Sequence, residues 1–392
     1  MPDMNKKQSI FLFLFTFLGI HASAQLKEKN PKVKLPDIPG YITLKCDFHL
    51  HTVFSDGHVW PSLRVDEAER DGLDVISITE HTDYEGYADD VKRDRERGYE
   101  IAAKRAEKTH VLVIKGAEIS PRVPPYHNNA LFLKDLNAIP YDYMKSSKGE
   151  FVMKDHIKKE ELMAPFIEAK KQGAFVIYNH PSYQWWDKKD KELFTSFHQE
   201  FLKSGLLGGV EVVNGRRYNI IAHRMAEKYN LTMFANSDAH QGIHYKDSHR
   251  PMTLVFAKEK SEDAVKEALI NRRTLVYSGD YLIGRKPEAE AFFKSSLDIT
   301  TEKIAAKNRP QLKIKILNKT DIPYEVECRS DYIIDARPLG RAVLEPHEVT
   351  TLLLDAVWEY PETISLKMKV GNVLVSSEKC LETEVQVNLK EE

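Results

Sequence analysis

The first apolar run of the chain, at residues 42–48, leads into the segment DFHLHTVFSDG at residues 47–57. Along a strand, side chains two residues apart point to the same face. His49 and His51 are therefore expected to project together from the end of a first strand, with Asp56 on the loop that follows. Imidazole and carboxylate groups bind borderline divalent metals, so this segment predicts part of a metal site. A His-x-His pair also occurs by chance, and the other strand ends decide between the two interpretations.

Strand-like and helix-like stretches alternate as far as about residue 278. The apolar runs lie at 42–48, 73–79, 111–117, 129–134, 174–179, 209–213, 231–236 and 252–256, and the helix-like stretches near 61–71, 87–108, 157–172, 189–204, 218–229 and 261–272. This alternation favours parallel strands joined by crossover helices, and its repetition favours a barrel over an open sheet. After Gly284 strand-like runs and turns follow, which predicts a small all-β sandwich. The predicted domains are 41–284 and 285–392.

Six more side chains of the metal-binding type stand at or just after the ends of these runs. They are His81, Glu118, His127, His180, Asp238 and His240. In a parallel α/β barrel the C-terminal strand ends converge on one face, whereas structural histidines and capping aspartates would be scattered over both ends. Nine donors are too many for one ion. The pattern therefore predicts two to three divalent transition metals, such as zinc, manganese or iron.

The series HLHTVFSDG, TEHTD, GAEIS, a following histidine, NHP and NSDAH resembles the PHP (polymerase and histidinol phosphatase) superfamily over about residues 45–280. The resemblance implies a distorted (β/α)7 barrel of the TIM-like type with a trinuclear site. By motif, one ion would be held by His49, His51, Glu118 and Asp238, a second by Glu118, His127 and His180, and a third by Asp56, His81 and His240. Glu118 would then be shared by two ions, and Glu118 and Asp238 would be the catalytic carboxylates.

The chain departs from the usual PHP pattern in two places. Glu80 stands where the PHP motif usually has Asp, and a long stretch separates His127 from His180. Together with a secretion signal and the C-terminal β domain, the Glu80 variant is similar to the Sb-PDE branch of PHP phosphoesterases.

Phosphoester hydrolysis is the chemistry that such a site predicts. Close metal ions yield hydroxide from a bridging water at neutral pH, and phosphoryl transfer needs positioning and charge neutralisation. Arg216 and Arg217, after the run at 209–213, and Arg250, after the Asp238 loop, are candidate phosphate contacts, because a guanidinium binds phosphate in a forked manner. Surface ion pairs are the alternative role for these arginines.

Composition restricts the substrate and the N-terminus predicts the compartment. The 392 residues carry 57 Lys and Arg against 59 Asp and Glu, so the chain lacks the positive field of a general nucleic-acid binder. We expect a small phosphoester substrate and no nucleic-acid partner. Lys6 and Lys7, the apolar run at 10–20 and Ala22-Ser23-Ala24 predict a signal peptide at 1–24, followed by a linker at 25–40.

A signal peptide places the mature protein in the periplasm or outside the cell. Eleven apolar residues are too few to span a bilayer, which needs roughly 20, so no stable membrane insertion is expected after cleavage. In an oxidising compartment Cys328 and Cys380 could pair, or both could stay free.

Three other functions are consistent with parts of the pattern. A metal-dependent amidohydrolase also begins with His-x-His on a barrel strand, although Glu118 and the Asp238-Ala239-His240 pair fit phosphoester chemistry better. A polymerase-associated nuclease is opposed by the secretion signal. A non-catalytic binding protein on the same scaffold would be expected to have lost donors, and all nine are present.

Overall fold

The structure is a computed structural model, and it describes residues 32–84, 86–87, 89–91, 94–147, 150–154, 156–181, 193–244, 249–304, 311–335, 337–355 and 361–389. The predicted signal peptide at 1–24 and the start of the predicted linker, 25–31, lie outside the described residues. No helix in the described ranges is long and apolar enough to cross a membrane.

The first part of the chain alternates strands and helices. In order, its elements are β1 (Ile42–Asp47), α1 (Pro61–Asp71), β2 (Val75–Ile78), α2 (Arg95–Ala106), β3 (Leu112–Ile119), β4 (Asn128–Leu131), β5 (Met144–Ser147), β6 (Glu150–Met153), α3 (Lys159–Lys171), β7 (Phe175–Tyr178), α4 (Ser196–Lys203), β8 (Leu207–Asn214), β9 (Arg217–Tyr218), α5 (Ile220–Tyr229), β10 (Thr232–Asn236), β11 (Met252–Ala257), α6 (Glu262–Ile270), β12 (Thr274–Ser278) and β13 (Tyr281–Gly284).

Ten of these strands form a curved sheet in the order β10-β8-β7-β4-β3-β2-β1-β11-β12-β13, β9 pairs with β8, and β5 and β6 form a separate two-stranded sheet. At one end of this order, β10 lies against β11 and β12. The Ala235 N–H donates to Thr253 Oγ1 at 3.0 Å, and Thr274 Oγ1 donates to the Met233 carbonyl at 3.1 Å. The predicted distorted barrel is therefore confirmed. Side-chain hydrogen bonds, and not a backbone ladder, connect β10 to β11 and β12.

Two strands differ from the predicted parallel arrangement. β4 pairs antiparallel with β3 and β7, and β11 pairs antiparallel with β1 and β12. A parallel return needs about a dozen or more residues and usually a helix. The loop at 120–127 between β3 and β4 is too short for one, so the chain turns back as a hairpin-like pair.

The barrel interior is apolar and forms the floor beneath the strand ends. Leu44, Cys46 and Phe48 follow one face of β1 and its continuation, and all are buried. Phe48 meets Phe234 of β10 edge to face, with 5.8 Å between ring centroids. Such packed side chains fill the barrel, so that ligands can approach at the rim and not through the centre.

The second part of the chain begins with a helix and continues as strands. Its elements are α7 (Lys286–Ser296), β14 (Leu297–Ile304), β15 (Gln311–Asn318), β16 (Tyr324–Arg329), β17 (Ile333–Ile334), a 3₁₀ turn (Pro338–Gly340), β18 (Arg341–Leu344), β19 (Val349–Asp355), β20 (Thr363–Ser376) and β21 (Lys379–Asn388).

The predicted all-β sandwich is confirmed in this part. One sheet has the order β14-β15-β19-β17, and the other is formed by β18, β16, β20 and β21. The second sheet joins the barrel sheet, because β20 pairs in parallel with β13 through Leu282↔Val373 and Ile283↔Leu374. Helix α7, which the sequence pattern did not predict, buries Phe292 and Phe293.

The two cysteines of this part stay free. Cys328 lies on β16 and Cys380 on β21, and β20 runs between those strands. The possible disulfide between them is therefore absent, since the intervening strand keeps the two thiols apart.

Candidate functional site

The nine predicted donors meet at one rim of the barrel. His49 and His51 follow β1, Asp56 lies on the next loop and His81 follows β2. The remaining five come from the end of β3, the residue before β4, the loop after β7 and the loop after β10. Four overlapping groups have donor atoms within 4.8 Å of one another: His51, Asp56, His81 and His240; His49, Glu118 and His180; His49, His51 and Asp238; His81, Glu118 and His127.

His49 and His51 face each other through their Nε2 atoms, 3.1 Å apart. Each Nε2 lies 3.2 Å from Asp238 Oδ1. His49 donates its Nδ1–H to Glu211 Oε1 at 2.8 Å, so in its neutral form Nε2 carries a lone pair. The Nε2 lone pair of His49, the Asp238 carboxylate and the second imidazole thus converge as ligands do around a cation.

Glu118 is the most shared carboxylate of the rim and is 1% exposed. Its Oε1 lies 3.1 Å from His127 Nδ1 and 3.5 Å from both His180 Nε2 and His49 Nε2. Its Oε2 lies 3.6 Å from His51 Nε2. One carboxylate can therefore contact two neighbouring sets of imidazoles at once.

Asp56 gathers a further set of histidines on the open side. Its Oδ2 lies 3.1 Å from His240 Nε2 and 3.3 Å from His81 Nε2. The Nδ1 atoms of these two rings have other partners: the Asp238 carbonyl at 2.9 Å for His240, and Ser120 Oγ at 2.7 Å and Glu118 Oε2 at 3.0 Å for His81. In the neutral form with the proton on Nδ1, each ring turns the lone pair of Nε2 towards Asp56, which makes these side chains a candidate ligand set for a cation.

Burial and neighbouring charges shift the pKa values of the buried carboxyls and histidines of the cluster. Burial opposes ionisation of Glu118 and Asp238, but the surrounding histidines outweigh it and hold the pKa of each carboxyl well below its usual value. Burial lowers the pKa of His51 to about 4, whereas for His49 the carboxylates, Asp238 first, outweigh burial and raise the pKa well above its usual value. Ionised carboxylates beside imidazoles call for added positive charge, which protons or metal ions can supply.

Two donors have left-handed backbone conformations. His180 has φ 24° and Asp238 has φ 51°. Outside glycine this region costs on the order of 1–3 kcal/mol per residue, and it is often found at functional sites. The strained backbone turns both side chains towards the rim after β7 and β10.

Glu211 is a buried member of the site that the sequence analysis missed. Besides His49, it accepts hydrogen bonds from the His180 N–H at 2.8 Å and from the side-chain amides of Asn214 and Asn236, both at 2.9 Å. It therefore orients two of the donors, His49 after β1 and His180 after β7. A carboxylate inside the apolar strand Val210-Glu211-Val212 was the available signal, because a buried charge needs partners.

Arg64 of α1 joins the loop after β1, which carries His49 and His51, to the loop after β10, which carries His240. Its guanidinium donates to the carbonyls of His51 at 2.9 Å, Gln241 at 2.8 Å and Ala239 at 2.7 Å, and it pairs with Glu67 at 2.7 Å. The side chain is fully buried. No sequence motif marks this residue, because its role depends on distant carbonyl groups.

A second chain of hydrogen bonds orients His81. Ser120 Oγ accepts from His81 and donates to Asp83 Oδ1 at 2.5 Å, and Tyr143 donates to Asp83 Oδ2 at 3.1 Å. Asp83 and Tyr143 are both buried. The GAEIS and TEHTD motifs thus supply positioning residues in addition to donors.

Glu80 lies behind the donor cluster and not within it. It accepts hydrogen bonds from the Thr52 N–H at 3.1 Å and from the hydroxyls of Thr52 and Ser55. Burial raises its pKa. Glu80 therefore fastens the loop that presents Asp56.

The three candidate phosphate-binding arginines have different surroundings. Arg216 is exposed on the turn between β8 and β9, and Arg217 is exposed at the start of β9. Both follow shortly after Asn214, whose amide donates to Asp238 Oδ2 at 3.2 Å. Arg250 is 1% exposed and its guanidinium binds Asp47 and Asp71 at 3.2 and 2.7 Å. The predicted substrate contact of Arg250 does not fit this placement, because its charge is neutralised inside the protein.

Comparisons with known proteins agree with this geometry. A family model described as PHP domain matches residues 47–204, and one described as Ig-like domain matches residues 297–386. A solved two-domain protein from Bacteroides vulgatus ATCC 8482, containing a predicted PHP-like metal-dependent phosphoesterase, is 35% identical, with a TM-score of 0.76. The match covers 91% of this chain and 98% of that one.

The chain belongs to the PHP superfamily of metal-dependent phosphoesterases. Asp238 and His240 lie beyond the end of the PHP domain match and join the other seven donors through the fold. Membership in this superfamily and the His, Asp and Glu clusters together support the use of divalent metal ions.

Two further relatives are more distant. An uncharacterized protein of Methanocaldococcus jannaschii, MJ1295, is 28% identical over 203 residues, which are 50% of this chain and 82% of that protein. An amidohydrolase structure from Chromobacterium violaceum is 16% identical, covers 50% of this chain and 87% of that one, and has a TM-score of 0.37. That structural likeness is too low to favour amidohydrolase chemistry here.

Proposed function

We propose that this PHP protein is an exported hydrolase of small phosphodiesters or phosphomonoesters that uses two to three divalent ions of zinc, manganese or iron. The observation that carries the proposal is the position of Glu118 between two sets of imidazoles. A shared carboxylate keeps bound ions close enough to act on one phosphoryl group. The Sb-PDE branch is the subgroup we propose within the superfamily, on the basis of Glu80, the N-terminal pattern and the second domain.

The donors divide among the ions as the motifs suggest. His49, His51, Glu118 and Asp238 would hold one ion, Glu118, His127 and His180 a second, and Asp56, His81 and His240 a third. Two features of the donor set fit this division: the facing Nε2 atoms of His49 and His51, and the Nε2 atoms of His81 and His240 turned to Asp56. Bound divalent ions would supply Lewis-acid chemistry, acidifying water and neutralising the oxygens of a phosphoester.

The protein's own residues supply orientation and charge. Glu211 fixes the ring of His49, and Arg64 holds the loops after β1 and β10 in register. Arg216 and Arg217 follow Asn214, which contacts Asp238, and would contact phosphoryl oxygens at the open side. These contacts favour hydrolysis, in which charge neutralisation and positioning of the substrate are the main requirements.

Metal analysis and a substrate panel test the proposal together. Purified mature protein is reconstituted separately with zinc, manganese and iron, and the metal content is measured before assays with mono-, di- and triesters of p-nitrophenol. We expect two to three ions per chain and turnover of mono- or diesters, reduced in Glu118→Gln but not in Glu107→Gln, which changes an exposed carboxylate on another face. Less than one ion per chain in all three reconstitutions would contradict the metal centre.

Export has its own test. The full chain is expressed in a Gram-negative host, and the periplasmic, cytoplasmic and medium fractions are compared with those of a chain lacking residues 1–24. We expect the full chain to appear processed outside the cytoplasm and the shortened chain to remain inside. Retention of unprocessed full-length protein in the cytoplasm would contradict export.

A further inference from the structure

A cavity of about 480 Å³ lies at the junction of the barrel and the Ig-like domain. Its lining includes Val213 of β8, Arg216 and Tyr218 of the β8–β9 turn region, Tyr281 of β13 and Leu374 of β20. None of these residues belongs to the nine donors. The volume falls within the range of small-molecule sites, about 300–1,000 Å³.

The cavity is connected to the cluster through one short turn. Asn214 donates to Asp238 Oδ2 at 3.2 Å, and the next residue, Gly215, donates its N–H to the Asn236 carbonyl at 2.9 Å. Two residues of extended chain span about 7 Å, so the backbone of Arg216 lies within about that distance of Asn214. The lining of the cavity therefore begins next to a residue that contacts the donor Asp238, and an organic group attached to a phosphate at the cluster can span a distance of this order.

The walls of the cavity are suited to a flat apolar group. Tyr218 and Tyr281 are 43% and 49% exposed, which is high for large aromatic side chains at one site, and Val213 and Leu374 add aliphatic surface. Aromatic rings stack favourably on one another and on a guanidinium. Arg216 also offers positive charge where the phosphoryl end would enter.

The second domain completes this cavity. Leu374 faces Ile283 in the parallel pair of β20 with β13, and Ile283 also lines the cavity. The pairing of β20 with β21 shifts register on both sides of Leu374. The irregular strand thus brings an aliphatic side chain of the Ig-like domain to the edge of the barrel.

We propose that this cavity binds the organic group of the phosphoester and selects a planar ring there. The inference rests on the proposed function, because it assumes that the phosphoryl group is held at the donor cluster. It adds a substrate class, phosphoesters that carry an aryl or other planar ring, and a role for the Ig-like domain as one wall of the binding site.

Binding of two non-hydrolysable phosphonates to the metal-loaded full chain tests the proposal by calorimetry. Ethylphosphonate presents the phosphoryl group alone, and 2-phenylethylphosphonate adds a ring at a distance suited to the cavity. We expect the ring to strengthen binding by about tenfold or more, in keeping with burial of an aromatic group. Tyr281→Ala and Leu374→Ala should bring the ratio of the two affinities close to one and leave ethylphosphonate affinity unchanged.

Two control variants separate ring contact from general disturbance. Tyr281→Phe keeps the ring and should keep the ratio, and so should Ile333→Ala, which removes a 60% exposed aliphatic side chain on β17. If Leu374→Ala fails to fold, the exposed Tyr281→Ala and Tyr218→Ala still give the answer.

The outcomes distinguish this inference from the function on which it rests. Equal affinities for the two phosphonates in the wild type, or a ratio unchanged in the cavity variants, would overturn the cavity proposal while ethylphosphonate binding upholds the phosphoryl site. Failure of both phosphonates to bind the metal-loaded chain, together with no phosphoester turnover, would overturn both.

Discussion

His49 donates its Nδ1–H to Glu211 Oε1 across 2.8 Å, and both side chains are fully buried. This hydrogen bond determines which nitrogen of the ring points to the donor cluster. A carboxylate behind a histidine ligand fixes its tautomer and raises its basicity. Glu211 therefore extends the site one layer into the barrel.

Glu211→Gln should weaken metal binding without removing a donor. The amide keeps the shape but lacks the charge, and its NH₂ group accepts neither of the two hydrogen bonds that the replaced carboxylate oxygen accepts. We expect metal affinity to fall about 10- to 100-fold, the usual effect of losing such a partner. Competition with a chelator measures the affinity, with Glu107→Gln as the matched surface control. Unchanged affinity would show that Glu211 serves only the packing of β8.

Glu80→Gln should have a narrower effect. The Glu80 carboxylate accepts three hydrogen bonds from Thr52 and Ser55, and glutamine offers only one oxygen to replace two. The loop that carries Asp56 should loosen, and the ion assigned to Asp56 should be lost first. Elemental analysis should show about one ion fewer per chain, with turnover above that of Glu118→Gln. Turnover at or below that of Glu118→Gln would contradict an indirect role.

Arg64→Lys should destabilise the whole fold. Lysine keeps the charge but cannot reach three carbonyls and Glu67 with the geometry of a guanidinium. Breaking such a buried network costs on the order of 3 kcal/mol in unfolding free energy. Urea unfolding of the metal-free protein measures the loss. Arg97→Lys, which changes an exposed pair with Glu100, should stay within about 0.5 kcal/mol. Equal stability of the two variants would contradict the proposed role of Arg64 in holding these loops together.

His198 predicts an acid-sensitive step that is independent of metal. Burial lowers its pKa to about 4, against about 6.5 in an unfolded chain. The folded-state pKa is the lower one, so the unfolded state binds the extra proton between these values. Stability should therefore fall as pH drops from about 6.5 to about 4, by about 3 kcal/mol in total from this group.

Comparison with His198→Gln isolates that step. The variant keeps an acceptor for the Thr195 N–H, which His198 Nδ1 binds at 3.1 Å, but cannot titrate. Its unfolding free energy, measured in urea on metal-free protein, should depend less on pH in this window than that of the wild type. His156→Gln, an exposed control, should follow the wild type. If the unfolding free energies of the wild type and His198→Gln change equally with pH, the claim that buried His198 stays neutral in the folded state is contradicted.

The nine donors were predictable from the sequence, but the residues that hold them in place were not. His49, His51 and Asp56 stand in one short motif, and strand ends of an α/β barrel meet on one rim, so periodicity alone brings the nine together. Arg250 was wrongly predicted as a substrate contact because it pairs with Asp47 and Asp71, about 200 and 179 residues away in sequence. No local pattern indicates ion pairs over such separations. Arg64 was missed for the same reason, since backbone carbonyls leave no trace in a sequence.

The sequence pattern also did not predict that β4 and β11 run antiparallel to their neighbours. An apolar run such as that of β4 has the same pattern whether it pairs parallel or antiparallel, and only the short loop before it gave a clue. The helix α7 (Lys286–Ser296) was missed because it lies after Gly284, where the sequence analysis expected only strands and turns.

The most direct measurement is the turnover and metal content of Glu118→Gln, determined on the same metal-loaded sample. Glutamine keeps the size of the side chain but removes the charge that the histidines on both sides of Glu118 face. The account predicts that at least one ion is lost and that kcat on the best phosphoester falls by several orders of magnitude, with the protein still folded by circular dichroism. Wild-type kcat with the full number of ions would contradict the shared carboxylate and the mechanism proposed from it.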